Sequence, residues 1–272
     1  MKFEFTNSEN FKIYGDFFEG KKNAPIIFIC HGFKGFKNWG WFPFVAEALG
    51  KEGFNVVSFN FSLNGVEEDF ENFTNLENFK ANTYSREILD LKEVVEFVNS
   101  GKLQPELQNL PYGFLGHSRG GGIVILASKI LKPKSVVTWA SIESVVRFSE
   151  NDINNFKTKG FTEVLNGRTN QIMPLGKNHY EDALEIQKNG DVKETLRKLE
   201  IPVRLIHGEN DLAVKLEKGK ELAANLPKNK SDFKIIKNAG HTFESGHPFK
   251  GTSKELTQAI KLTTEFFKSM NS

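Results

Sequence analysis

One serine sits between two glycines in the stretch YGFLGHSRGGG, residues 112–122. A serine hydroxyl is a weak nucleophile and needs a neighbouring base to take its proton. It must also project from the backbone. A sharp turn from strand to helix does this, but it crowds the residues on either side. Small residues relieve the crowding, so Gly116-x-Ser118-x-Gly120 has the form of a nucleophile elbow. Gly121 and Gly122 let the following helix pack close to the strand, and its N-terminus brings amide donors and a positive dipole end toward Ser118.

A base and an acid should follow in the order Ser, Asp/Glu, His. HGENDLAV (207–214) ends one apolar run and presents Asp211, and KNAGH (237–241) ends the next and presents His241. Ser118 and Asp211 lie 93 residues apart, room for a helix, a strand, a further segment and another strand. Asp211 and His241 lie 30 apart, room for one helix and one strand. His247, in ESGHPF, is the second candidate base or a residue lining the site. Glu209 and Glu143 are the second-choice acids. His117 is expected to pack beside the elbow, His207 to be structural, and His179 to meet substrate or only water. Arg119 either holds a substrate carboxylate or pairs with a local carboxylate such as Glu143 or Asp90 and orders the elbow; the pairing is preferred. Trp39 and Trp41, with Phe36 and Phe42, either wall an apolar acyl or aromatic pocket or seat the next helix.

These residues need elements to position them. KFEF and FKIYGDFF alternate and predict an antiparallel opening hairpin. PIIFICHG (25–32) and NVVSFNF (55–61) are continuous apolar runs, as in strands buried on both faces. Helical spacing predicts helices over 41–53, ending at Gly53, over 83–99 from a start near Thr83, and over 254–270. YGFLG, KSVVTWAS, IPVRLIHG (201–208) and DFKIIKNAG (232–240) read as strands and GGIVILASKIL as a helix. This alternation predicts an α/β fold with a mostly parallel sheet of about eight strands and helices on both faces. In such sheets chemistry sits beyond the carboxyl ends of the strands, which is where His31, Ser118, Asp211 and His241 fall. Residues 142–197 are far longer than one crossover needs. They predict a small helical cap of a few short helices inserted in a single domain spanning 1–272. Within it, KTKGFTEVLNGRTN (157–170) carries mixed charges and reads as a solvated face.

Composition narrows the function. Lys+Arg number 36 and Asp+Glu 34, a net charge of +2, with no basic stripe, so nucleic acid is not an expected partner. The single cysteine, Cys30, excludes an internal disulfide and reads as a small buried hydrophobe. The start has no signal-peptide core, and the apolar runs fall short of the roughly 20 residues a membrane helix needs. The expectation is a cytoplasmic protein without a membrane span, a monomer or homodimer. No HExxH, P-loop or dinucleotide fingerprint is present, so neither a metal nor a cofactor is expected. The 26 Phe against 4 Tyr reflect a compositional bias that carries no function.

Together, ICHGFKGFK, GFLGHSRGGG, IPVRLIHGENDLAV and KNAGHTF resemble an α/β-hydrolase-fold serine hydrolase. The chain is most similar to bacterial esterases related to the prolyl oligopeptidase, acyl-peptidase-like and cinnamoyl esterase groups. By that resemblance Ser118 attacks an acyl carbonyl, His241 shuttles its proton and Asp211 orients the imidazole. The backbone N–H groups of Phe33 and Arg119 form the oxyanion hole. His31, Trp39, Trp41, His179 and His247 fall around the substrate, with His31 ordering its loop rather than acting as a base. Lys215 stands where the family often has a proline after the acid-loop valine. The implied reaction is hydrolysis of a carboxylic ester with a small to medium or aromatic acyl group. Peptides and thioesters remain alternatives with the same machinery, and a non-catalytic binding protein on the scaffold is the reading from another class.

Overall fold

The computed structural model describes residues 1–67, 71–228 and 230–269. Strands β1 (Lys2–Thr6) and β2 (Lys12–Phe18) form the expected hairpin. β3 (Ile26–Cys30), helix α1 (Phe42–Lys51) and β4 (Asn55–Phe59) follow. A short helix, α2 (Leu76–Ala81), precedes α3 (Tyr84–Asn99), β5 (Tyr112–His117), α4 (Arg119–Leu131) and β6 (Ser135–Trp139). Then come α5 (Glu150–Lys159), β7 (Phe161–Asn166), β8 (Gln171–Gly176), α6 (Lys177–Lys188) and α7 (Val192–Lys198). β9 (Val203–Gly208), α8 (Leu216–Ala223), β10 (Asp232–Ile236) and α9 (Lys254–Ser269) close the chain. Met270, in the helix expected over 254–270, lies outside the described residues.

Eight of these strands make one sheet in the order β1-β2-β4-β3-β5-β6-β9-β10. β2 runs antiparallel to both its neighbours, and the pairs from β4 to β10 are parallel. Two cores explain why β3, β4 and β6 are buried along their whole length. Successive side chains of a strand point to opposite faces. Ile26, Phe28 and Cys30 therefore join one core with α3 and α4, while Ile27 and Ile29 join the other with α1 and α9. The one free thiol, Cys30, is wholly buried there.

Local chemistry sets the helix limits. Thr83 accepts a hydrogen bond from the N–H of Arg86 at 3.1 Å and starts α3, as a cap residue should. α1 stops at Lys51, and Gly53 turns the chain at φ 101°, a conformation open to glycine. The segment between β6 and β9 adds a two-stranded antiparallel hairpin, β7–β8, to the expected short helices. Residues 157–170, read as a solvated face, are mostly exposed; they supply the end of α5 and strand β7, in which Thr162 and Asn166 are buried. Among the described residues no helix is long and apolar enough to cross a membrane.

Candidate active site

Ser118 stands between β5 and α4 with φ 56° and ψ −118°. Such a backbone is strained for a residue with a side chain. The surroundings hold it in place: its N–H donates to the carbonyl of Trp139 at the end of β6, 2.8 Å away. The flanking glycines are required by close approach. A Cβ at Gly116 would lie 2.3 Å from the carbonyl oxygen of Gly120, and one at Gly120 would lie 2.4 Å from that of Cys30.

The turns after β9 and β10 bring two more groups to the serine. His241 Nε2 lies 3.0 Å from Ser118 Oγ, and His241 Nδ1 lies 2.8 Å from Asp211 Oδ2. The other oxygen of Asp211 accepts from the backbone N–H groups of Ala213 and Val214, each at 2.9 Å. Burial works to raise the Asp211 pKa, but these bonds and the neighbouring imidazoles outweigh it and hold the carboxyl below its ordinary range. An ionised Asp211 keeps the proton of His241 on Nδ1, and Nε2 is left to accept from the serine hydroxyl.

The remaining candidates separate into distinct roles. His247 Nδ1 accepts from the N–H of Gly40 at 2.8 Å, and its ring stacks on Trp39. Glu209 accepts from the N–H of Asn238 at 3.0 Å, and Glu143 faces Arg147 and Lys218 at 3.5 and 3.6 Å. His117 Nε2–H donates to the carbonyl of His241 at 3.0 Å; burial, then the adjacent His241, drive its pKa down to about 3. His207 Nε2–H donates to the carbonyl of Val214 at 2.7 Å and ties down the acid loop.

His31 does not line the cavities described below. Its Nδ1–H donates to the carbonyl of Gly32 at 2.9 Å and its Nε2 accepts from the N–H of Phe61 at 3.3 Å. Burial lowers its pKa to about 4, so it stays neutral and orders the loop. That loop packs on the serine: a Cβ at Gly32 would come within 3.0 Å of Ser118 Cβ. The backbone N–H groups of Phe33 and Arg119 make no hydrogen bond among the described residues. Trp41 corrects the expectation of a pocket wall. It is fully buried against Phe42, Trp139 and His117, and seats α1.

The expected partners of Arg119 also need correction. Its Nε donates to Glu87 at 2.9 Å, while Asp90 is taken by Arg86 at 2.9 Å and Glu143 by Arg147 and Lys218. The sequence carried no signal for Glu87, because nothing in it sets which way α3 turns toward α4.

No family model matches the chain. It is 25% identical to a bifunctional esterase/perhydrolase of Acinetobacter calcoaceticus, over 77% of this chain and 83% of that protein. Est1E of Butyrivibrio proteoclasticus superposes with a TM-score of 0.71 at 17% identity, covering 99% of this chain and 98% of that one. The esterase domain of a Rhodothermus marinus protein superposes with a TM-score of 0.67 at 18% identity, over 99% and 98% of the two chains. The chain has the α/β-hydrolase fold.

In this hydrolase fold two cavities meet at Ser118 and Phe33. One, of about 220 Å³, is walled by apolar side chains including Ile142, Phe148, Leu175 and Val214, with Arg119 and His179 among its lining. The other, of about 210 Å³, runs past Trp39, Phe42, His117 and His241 to Asn166 and Arg168. Of the expected substrate contacts, His179 and Trp39 therefore line cavities, and His31, Trp41 and His247 do not. Tyr84, which sequence reasoning missed, lines the first cavity from the start of α3.

Proposed function

We propose that the protein is a serine hydrolase that cleaves a carboxylic ester through an acyl-enzyme intermediate. The observation that carries this reading is the hydrogen-bonded chain from Ser118 through His241 to Asp211, at 3.0 and 2.8 Å, with the serine in a strained strand-to-helix turn. Ser118 Oγ attacks the acyl carbon as His241 Nε2 takes its proton. The tetrahedral oxyanion receives the free N–H groups of Phe33 and Arg119, each of a kind worth about 3 kcal/mol. Collapse releases the alcohol, which takes the proton from His241. Water then repeats the sequence on the acyl-enzyme and frees the acid. Asp211 holds the imidazole in the useful tautomer and stabilises it when protonated.

The two cavities support an acyl group in the apolar one and the alcohol in the other. About 220 Å³ suits a small to medium or aromatic acyl group. A structure of Est1E with ferulic acid bound is consistent with the aromatic choice. Residues 142–197 contribute Phe148, Val164, Leu175 and His179 to one cavity and Asn166 and Arg168 to the other. This supports their assignment as a cap inserted in a single domain spanning 1–272.

A panel of p-nitrophenyl esters, from acetate to long acyl chains plus an aromatic acyl, tests the proposal. Turnover by the wild type that vanishes in Ser118→Ala, with an unchanged circular dichroism spectrum, is the expected result. Comparable turnover by Ser118→Ala would overturn the assignment.

A further inference from the structure

Arg119 lines the apolar cavity, yet only 4% of its surface is exposed. The ring of Tyr84 lies 4.1 Å from its guanidinium carbon and that of Phe33 lies 5.2 Å away. At the edge, Nε donates to Glu87 Oε2 at 2.9 Å. The other Glu87 oxygen accepts from Asn82 Nδ2 at 2.8 Å, and the Asn82 carbonyl accepts from His179 Nδ1–H at 3.1 Å. That last bond puts the His179 proton on Nδ1, which leaves Nε2 to accept from Arg119 Nη1 at 3.4 Å. The four residues thus close a ring. Burial first, then the charge of Arg119, hold the His179 pKa well below its ordinary value, so this imidazole stays neutral.

Of the five guanidinium N–H groups three are left over, the second on Nη1 and both on Nη2. Arg119 Nη2 lies 3.3 Å from His179 Nδ1, and that atom is already a donor. The two N–H groups of Nη2 therefore have no acceptor among the described residues. A guanidinium does not lose its proton, and an unpaired buried donor is costly. The other charged groups lining the cavity are occupied. Arg147 donates to the Ala213 carbonyl at 3.1 Å and faces Glu143 at 3.5 Å. Asp152 accepts from Ser149 and Thr162.

We infer that Arg119 makes the cavity select an acyl group carrying a hydrogen-bond-accepting oxygen at its far end. The inference rests on the esterase reading. Arg119 follows Ser118 directly, so a carbonyl carbon held at the serine puts the Arg119 head group within the reach of a short acyl chain. The shared chemistry is an acceptor oxygen, either a neutral carbonyl or a carboxylate.

The test uses three 4-nitrophenyl esters of near-equal shape: heptanoate, 6-oxoheptanoate and the hemiester of adipic acid. At least one oxygenated ester should exceed heptanoate in kcat/KM by about tenfold or more, or about 1.4 kcal/mol. A preference for the oxo ester identifies a neutral acceptor and a preference for the hemiester a carboxylate; either supports the inference. The double variant Arg119→Met, Glu87→Met removes both charges together and so leaves neither buried alone. Its ratio of oxygenated to alkyl ester should fall to about one, whatever its absolute rate. A wild-type ratio of one or less for both oxygenated esters overturns the inference even if the variant does not fold. So does a preference that persists in the double variant. Equal turnover of all three esters removes this inference alone, whereas no turnover of any ester removes the esterase reading with it.

Discussion

Replacing Asp211 by Asn keeps the shape of the side chain and changes what each of its two ends does. Oδ1 accepts two backbone N–H groups, from Ala213 and Val214, at 2.9 Å. An amide NH₂ turned toward them would lose two hydrogen bonds and leave two donors unpaired, several kcal/mol in all. The amide therefore keeps its oxygen on that side and presents NH₂ to His241 Nδ1, where Oδ2 now sits at 2.8 Å. Nδ1 must then accept, and the imidazole proton moves to Nε2, facing Ser118 Oγ at 3.0 Å. The lone pair that should take the serine proton is no longer there. A wrong tautomer of this kind lowers kcat by on the order of 10⁴, or about 5.4 kcal/mol. Initial rates of p-nitrophenyl ester hydrolysis measure it, and an unchanged melting temperature would show that the fold is intact. Asp211→Asn retaining more than about a tenth of wild-type kcat would refute the assignment of Asp211.

Other expectations follow from the same geometry. His247→Ala should retain far more activity than His241→Ala, because His247 is held by Gly40 and Trp39; the reverse order in steady-state rates would exchange their roles. Gly120→Ala would place a Cβ 2.4 and 2.5 Å from the carbonyl oxygens of Cys30 and His31. Overpacking against backbone should cost about 1–3 kcal/mol in urea unfolding, and a loss near zero would contradict it. Buried His31 has its pKa lowered from 6.5 to about 4, so the unfolded chain binds its proton first. The stability it contributes is present above pH 6.5 and is lost as pH falls toward 4, roughly 3 kcal/mol over that window. The stability gap between wild type and His31→Gln should narrow by about that amount between pH 7 and pH 4, read from denaturant midpoints; a gap independent of pH would refute it.

The parallel sheet was legible because doubly covered strands have no polar face, and IIFIC, NVVSF and SVVTW read as unbroken apolar runs. The convergence of Ser118, Asp211 and His241 was legible for a related reason: each closes a recognisable strand, and parallel strands point their ends the same way. The β7–β8 hairpin was not. FTEVLN and QIMPLG are short and only partly buried, and Pro174 interrupts the second, so neither run stood out as a strand. The Asn166-Gly167 pair was the available turn signal. The ring around Arg119 was hidden because it joins α3, α4, α6 and the residue that ends α2, and the rotation of a helix about its own axis depends on packing that one sequence does not display. Trp41 was ambiguous because an aromatic side chain serves equally well as a cavity wall or a core plug.

The position of the two cavities has a consequence for how such a molecule changes. The groups proposed to move protons hang from the ends of β5, β9 and β10 in the sheet, while many cavity walls come from residues 142–197. A new hairpin or a new α5 can therefore reshape what enters without disturbing the relay. The exception is His179, which closes the hydrogen-bonded ring onto Arg119, the residue after Ser118. A transplant of this segment between relatives that keeps a histidine at 179 should carry its selectivity with it, and one that drops it should loosen the elbow itself.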